Sequence, residues 1–191
     1  MAAGTRFTPE REGELYTAVL GLLREVGYDA LTMDAVAARA HTSKATLYRQ
    51  WGSKAELVVQ ALRCEKPVFL EEVDTGSLRG DLDAVLEMTD DDRLEQDTAL
   101  MRGLMQAASA SAELHDALIN QLINTETEGV DTLLRRAVDR GEVAADNPAL
   151  GYVPHMMIGA LAARLLIENR PVDRAFLRHY VHSVVFPALG V

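Results

Sequence analysis

Apolar residues recur at three- and four-residue steps along most of the chain, which is the spacing of one face of an α-helix. The first such stripe consists of Leu15, Val19, Leu22 and Val26. Thr8 followed by Pro9 is typical of a helix start, and Gly27 of a helix end. The pattern therefore predicts a first helix between these positions.

Two short helices are predicted next. Thr32 is a suitable N-cap for the second, whose inner face would carry Val36, Ala37 and Ala40. Ser43 is a suitable N-cap for the third, predicted from Lys44 to Trp51. About three residues separate the two helices, the length of the turn in a helix-turn-helix.

The rest of the chain also follows a helical pattern. Ser53 to Glu56 reads as a capping box that opens a fourth helix, and Pro67 is expected to end or bend that helix. Further helices are predicted over residues 77–90, 92–109, 112–140, 146–169 and 172–188. Asn147-Pro148 and Pro171 with Asp173 are the start signals of the last two. The predicted fold class is all-α.

Charge distinguishes one stretch from the rest. The chain has a formal charge of −10, yet residues 39–54 contain Arg39, Lys44, Arg49 and Lys54 and no acidic residue. Basic side chains among hydroxyls and aromatics suit a helix that lies against a phosphate backbone. A solvated basic face is the alternative. The acidic body argues against unspecific DNA coating, but a local patch can still bind DNA.

Several other classes of protein are not favoured. One cysteine cannot form an internal disulfide or a Cys-rich metal site. The N-terminus has no apolar signal region, and His155, Arg164 and Glu168 interrupt the apolar stretch near the C-terminus, so we expect a cytoplasmic protein without a membrane span. We find no phosphate loop, nucleophile elbow or zinc-protease motif, so no enzyme, metal or cofactor is expected.

Residues 8–60 resemble the N-terminal signature of the TetR family of transcriptional repressors. The residues that carry the resemblance are Gly27, Tyr28, Thr32, Met33, Val36, Ala37, Ala40, Ser43, Leu47, Tyr48, Trp51, Lys54 and Leu57. His41 replaces a usual glycine at a position that tends to need positive φ. Ala45, Gln50 and Trp51 also depart from the most frequent residues, glycine, histidine and phenylalanine.

The resemblance implies a set of DNA contacts. Thr32, Ser43, Tyr48 and Lys54 would position phosphates, and Trp51 could donate its indole N–H to another. The expected base readers are Lys44, Ala45, Thr46 and Arg49 on the third helix. Core packing behind the turn is the alternative for Tyr48 and Trp51.

The resemblance also implies a domain organisation. Residues 1–54 would form the helix-turn-helix DNA-binding domain, 55–66 a connecting helix, and 67–191 a helical bundle for effector binding and dimerisation. Residues 153–166 are apolar nearly all round, and their small residues allow another helix to approach closely. A homodimer through the last two helices would suit a palindromic DNA operator. The alternative is that both helices are buried within the core of a single subunit.

The predicted effector is small and apolar. Five adaptable methionines, Met88, Met101, Met105, Met156 and Met157, suit a pocket for such a molecule. The candidate pocket residues are Met101, Met105, Tyr152, His155 and Met156. Methionines at helical spacing are also consistent with plain core. Two other functions stay open: an all-helical protein-interaction module, and an enzyme.

Overall fold

A computed structural model describes residues 7–64 and 70–191, and these residues form helices without any β-strand. Pro67, the expected end of the fourth helix, lies outside the described residues. The chain divides into two compact units. The first contains Met1–Lys66 and Gly103–Leu122, and the second contains Pro67–Arg102 and Ile123–Val191.

The first unit begins with four helices. They are α1 (Pro9–Ala30), α2 (Met33–Arg39), α3 (Lys44–Trp51) and α4 (Lys54–Cys64). The predicted N-caps are present, because the hydroxyls of Thr8, Thr32 and Ser43 accept hydrogen bonds from Arg11 N, Ala35 N and Thr46 N. The Ser53 hydroxyl likewise accepts from Glu56 N at 3.2 Å. Local sequence chemistry therefore sets where each helix begins.

Two positions with positive φ shape this unit. Gly27 has φ 76° and ψ 170°, and α1 resumes beyond it to Ala30 instead of ending there. His41 has φ 48°, which confirms the expectation for this turn position. A histidine tolerates that conformation better than most side chains. The turn between α2 and α3 thus keeps its geometry without glycine.

Aliphatic side chains from α1, α2, α3 and α4 form the core of the first unit. Fully buried members are Leu15, Val19, Leu20, Val36, Leu47, Leu57 and Val58. A further helix, α7 (Ala112–Leu118), packs against α4 in the same unit. Gln121 Nε2, beyond the end of α7, donates to Glu56 Oε2 at 2.7 Å. A segment distant in sequence therefore stabilises the helix that follows α3.

The second unit is a helical bundle. Its α-helices are α5 (Leu78–Glu87), the start of α6 (Asp91–Ala108), α8 (Asn124–Asp139), α9 (Val153–Ala162), α10 (Arg174–Tyr180) and α11 (Phe186–Leu189). The boundary between the units falls inside α6, between Arg102 and Gly103. The buried core of this unit centres on Leu78, Leu133, Val153, Val185 and Phe186.

The long predicted helices are interrupted. Residues 112–140 form α7 and α8 joined by a π-helical turn, Ile119–Ile123, and similar turns at Ala163–Ile167 and Val181–Val185 follow α9 and α10. The start predicted at Asn147-Pro148 is wrong: α9 begins at Val153 with Pro154 in its first turn. Asn147 instead donates to the carbonyls of Ala188 and Leu189, which fastens the C-terminal helix.

Candidate DNA-binding surface and ligand cavity

Helix α3 has one buried and one exposed face. Leu47 is fully buried, whereas Lys44, Ala45, Tyr48 and Arg49 are exposed, with 45% of Tyr48 accessible. The N-cap Ser43 is exposed, and its hydroxyl lies 2.8 Å from that of Thr46. A short exposed helix with a basic and hydroxylated face has the size and chemistry to enter a DNA major groove.

Trp51 lies on the opposite face of α3. It is 9% exposed, and its indole N–H donates to the Tyr16 hydroxyl of α1 at 3.2 Å. The two rings meet edge-to-face with centroids 6.0 Å apart. In this structure the indole N–H is therefore used inside the protein rather than offered to a phosphate. Trp51 holds α3 against α1.

Lys54 also turns inward. Its ammonium donates to the carbonyls of Tyr28 and Leu31 at 2.8 and 3.1 Å, and it lies 4.0 Å from the centre of the Tyr28 ring. Partial burial lowers the pKa of Lys54, while burial raises the pKa of Tyr28 to about 12, with Glu113 and Asp29 adding to the rise. Lys54 thus ties the start of α4 to the end of α1.

The exposed basic residues have acidic neighbours within the protein. Lys44 Nζ lies 2.7 Å from Asp34 Oδ2 of α2. Hydrogen bonding to Asp34, followed by its charge, raises the pKa of Lys44. Arg39 makes a two-pronged contact with Glu25 at 2.7 and 2.8 Å. Among the described residues, Arg49 has no such counter-ion. The candidate surface is therefore less basic than residues 39–54 alone suggest.

Sequence reasoning missed these partners. A further contact joins Gln50 Nε2 of α3 to Glu12 Oε1 of α1 at 2.8 Å. The residues of each pair are far apart in sequence and share no periodic spacing. Only the crossing of the helices brings them together, so no sequence signal identifies them.

The second unit contains a cavity of about 240 Å³. Its lining comprises ten leucines, five valines, Met157 and Thr89. The lining residues come from the 3-10 turn Leu70–Glu72, from α5 and the loop after it, and from the beginning of α6, α8, α9 and the segment from α10 to α11. None of these described lining side chains is charged or aromatic. Such a wall favours an apolar ligand.

The five candidate pocket residues are not brought together around this cavity, and none of them lines it. Met101 belongs to the second unit and Met105 to the first. Tyr152 is 66% exposed, and His155 is exposed as well. Met156 packs at the edge of the core, while its neighbour Met157, also among the adaptable methionines, reaches the cavity. The orientation of α9 about its own axis therefore determines that Met157, and not Met156, lines the cavity.

Several large apolar side chains remain exposed on the last helices. Ile158, Leu166, Ile167 and Val184 are all accessible, Ile167 to 82%. By length and composition Leu150–Ile167 could cross a membrane, and 22% of this stretch is buried. Arg164 within it is buried and donates to Pro171 O at 3.1 Å and to Glu168 at 2.9 Å. A buried, paired arginine suits a helix that packs against protein.

Comparison with known proteins agrees with both units. Residues 15–61 match the family model of bacterial regulatory proteins of the tetR family, and residues 72–184 match a tetracyclin repressor-like C-terminal domain. An uncharacterised HTH-type transcriptional regulator of Mycobacterium tuberculosis is 37% identical over 188 residues, covering 94% of this chain and 88% of the relative.

Two further similarities cover nearly the whole chain. The DNA-binding transcriptional repressor TetR of Mycobacteroides abscessus is 36% identical over 176 residues, or 92% of each protein. The crystal structure of the TetR family transcription regulator SCO0332 has a TM-score of 0.69 and 29% identity, covering 95% of this chain and 98% of that one. This chain belongs to the TetR family of transcriptional regulators, which are DNA-binding proteins and not enzymes.

Proposed function

We propose that the protein is a cytoplasmic repressor that binds a palindromic operator as a homodimer and releases it when a small molecule binds. The observation that carries this proposal is the exposed face of α3, with Lys44, Ala45, Tyr48 and Arg49 outward and Leu47 buried behind them. Several relatives are named repressors, among them TetR of Mycobacteroides abscessus, and this favours repression over activation.

The proposed operator contacts divide into two groups. Thr32, Ser43 and Tyr48 carry hydroxyls suited to phosphate oxygens. Lys44, Ala45, Thr46 and Arg49 occupy the part of α3 that would meet base edges. Trp51 and Lys54 would support this surface without contacting DNA, because their polar groups bind α1 and the residue that follows it. This division keeps residues 1–54 as the DNA-binding domain.

The proposed homodimer uses the exposed apolar surface of the last helices. Large exposed apolar patches mark interaction sites, and the last helices expose Ile158, Leu166 and Val184. Gly159 and Ala160 leave room for a second helix to approach closely. Two copies of α3 related by a twofold axis would then read two half-sites about 34 Å apart, or a multiple of that distance.

The proposed release uses α6 and α7. Leu94 near the start of α6 lines the cavity, while the end of α6 belongs to the first unit, where α7 packs on α4. Residues 55–66 would act as the connector and 67–191 as the effector-binding and dimerisation domain. A coupling free energy of about 1–3 kcal/mol between ligand and operator would be sufficient.

An electrophoretic mobility shift with DNA from upstream of the protein's own gene tests the DNA-binding part. We expect sequence-selective binding that weakens with salt. Lys44→Ala and Arg49→Ala should each reduce operator affinity by roughly 5- to 150-fold if they contact bases. Arg135→Ala, an exposed arginine of the second unit, is the matched control and should bind normally. Equal binding to a scrambled sequence would overturn the proposal.

A further inference from the structure

The cavity in the second unit has the properties of a ligand site rather than a packing defect. Protein cores contain few voids larger than a water molecule. An engineered apolar cavity of about 150 Å³ stays dry and binds benzene. That cavity is lined by leucine, isoleucine and phenylalanine. The present cavity, at about 240 Å³, is larger, and its described lining is aliphatic apart from Met157 and Thr89. We infer that it binds an uncharged aliphatic molecule of roughly ten non-hydrogen atoms.

The lining excludes charged ligands. Thr89 is the single polar residue among the described lining side chains, and its hydroxyl already donates to Val85 O at 2.8 Å. That hydroxyl can accept one hydrogen bond from a ligand but has no proton left to give to a carboxylate. An ionised group would therefore be buried without a partner, which is strongly unfavourable.

Charged residues beside the cavity are directed elsewhere. Asp83 follows the lining residue Leu82, and His182 follows the lining residue Val181. The Asp83 carboxylate and His182 Nε2 lie 2.8 Å from each other. Arg79, next to the lining residue Leu78, stacks its guanidinium 4.3 Å from the centre of the Phe186 ring. Arg79 Nη1 also lies 3.4 Å from His182 Nδ1, and none of these three residues lines the cavity.

The described lining residues include no aromatic side chain, which narrows the class of ligand further. Flat aromatic ligands commonly stack on aromatic rings, whereas leucine and valine walls suit flexible saturated chains. The favoured ligands are thus medium-chain alcohols, ketones or hydrocarbons. This inference rests on the proposed ligand response, because it identifies the effector class that would trigger release.

A homologous series of primary alcohols, titrated calorimetrically into the full-length protein, tests the inference. From 1-pentanol upward, affinity should rise about fourfold per methylene. It should stop rising at roughly ten non-hydrogen atoms, where the cavity is full. Octanoate, equal in size to 1-nonanol, should bind at least about a hundredfold more weakly. Octanoate binding as tight as that of 1-nonanol would overturn the inference, as would affinity that keeps rising to 1-dodecanol.

Matched variants locate the site. Val130→Phe fills the cavity and should abolish 1-nonanol binding, whereas Val26→Phe, on the exposed surface of the first unit, should leave binding unchanged. Thr89→Val preserves the shape of the cavity and should retain binding of n-nonane. Circular dichroism melting establishes that each variant folds. Full 1-nonanol binding by folded Val130→Phe would contradict the site.

Mobility shifts on the same preparations separate this inference from the proposed function. If the protein binds its operator but none of the alcohols, the ligand class is wrong while DNA binding stands. If 1-nonanol binds in the cavity and leaves operator affinity unchanged, the ligand class stands and the proposed release is wrong.

Discussion

Lys44 of α3 and Asp34 of α2 form an ion pair on the candidate DNA-binding surface, with 2.7 Å between Nζ and Oδ2. A phosphate or base that binds Lys44 must compete with this carboxylate. We therefore expect Asp34 to weaken unspecific attraction to DNA at the proposed contact of Lys44. The pair is exposed, so the competition is modest.

Asp34→Asn should tighten DNA binding. The substitution frees the Lys44 ammonium and removes a negative charge near the phosphates, so we expect affinity for unspecific DNA to rise roughly two- to fivefold. Mobility shifts at several salt concentrations measure the change. Asp146→Asn, an exposed acid of the second unit, provides the control. Unchanged or weaker binding by Asp34→Asn would show that the pair does not limit access to Lys44.

Lys54→Met should destabilise the first unit. Methionine keeps the apolar stem but loses the two hydrogen bonds to Tyr28 O and Leu31 O, for a cost of about 1–3 kcal/mol in the free energy of unfolding. Urea titration measures this loss. Because the Lys54 ammonium already donates to two backbone carbonyls and not to a phosphate, the salt dependence of DNA binding should stay the same. A salt slope reduced by about one would instead place this amine on a phosphate.

Tyr16→Phe should cost about 1–3 kcal/mol of stability, since the buried indole N–H of Trp51 would lose its acceptor. Tyr48→Phe removes the same hydroxyl from an exposed ring and should leave stability within about 0.5 kcal/mol of the parent. Urea unfolding of both variants gives the comparison. Equal stabilities would mean that water or another group satisfies the indole.

Alkaline pH should weaken the parent protein more than Tyr28→Phe. The pKa of Tyr28 is raised to about 12 in the folded state, whereas an unfolded tyrosine titrates near 10. The stability that this group contributes is therefore complete below pH 10 and is lost as the pH rises from about 10 to 12. Urea unfolding of both proteins at pH 9 and pH 11 tests this, and a constant difference in stability would contradict it.

Ile158→Asp should dissociate the proposed homodimer. A carboxylate in an apolar interface is desolvated without a partner, so self-association should weaken by roughly a hundredfold or more. Operator binding should weaken with it. Sedimentation velocity measures the oligomeric state, and Val26→Asp is the matched control on the first unit. A parent protein that sediments as a monomer at micromolar concentration would disprove this assembly.

The sequence predicted the fold best where the determinants are local. The caps at Thr32 and Ser43 and the turn at His41 are set by neighbouring residues, and α3 has the predicted bounds. Interruptions such as Ile119–Ile123 depend on how helices pack, so periodicity alone does not locate them. The apolar pattern likewise did not reveal where α9 begins.

The candidate sites were harder to predict for the same reason. Exposure of Lys44 and burial of Leu47 follow from helical spacing. The inward contact of Trp51 depends on Tyr16, 35 residues away along the chain. Those of Lys54 depend on Tyr28 and Leu31, which are 26 and 23 residues away. The cavity was harder still to predict, because side chains from six helices and from the turn at Leu70 line it. Composition predicted an apolar effector but did not identify the side chains that would surround it.

Trp51 also provides an intrinsic fluorescent probe of α3. It is the single tryptophan of the chain, and it lies where α3 rests on α1. Its fluorescence should therefore report on the seating of α3 without any attached dye. Emission that shifts to longer wavelength before global unfolding would show that α3 separates from α1 before the rest of the protein unfolds.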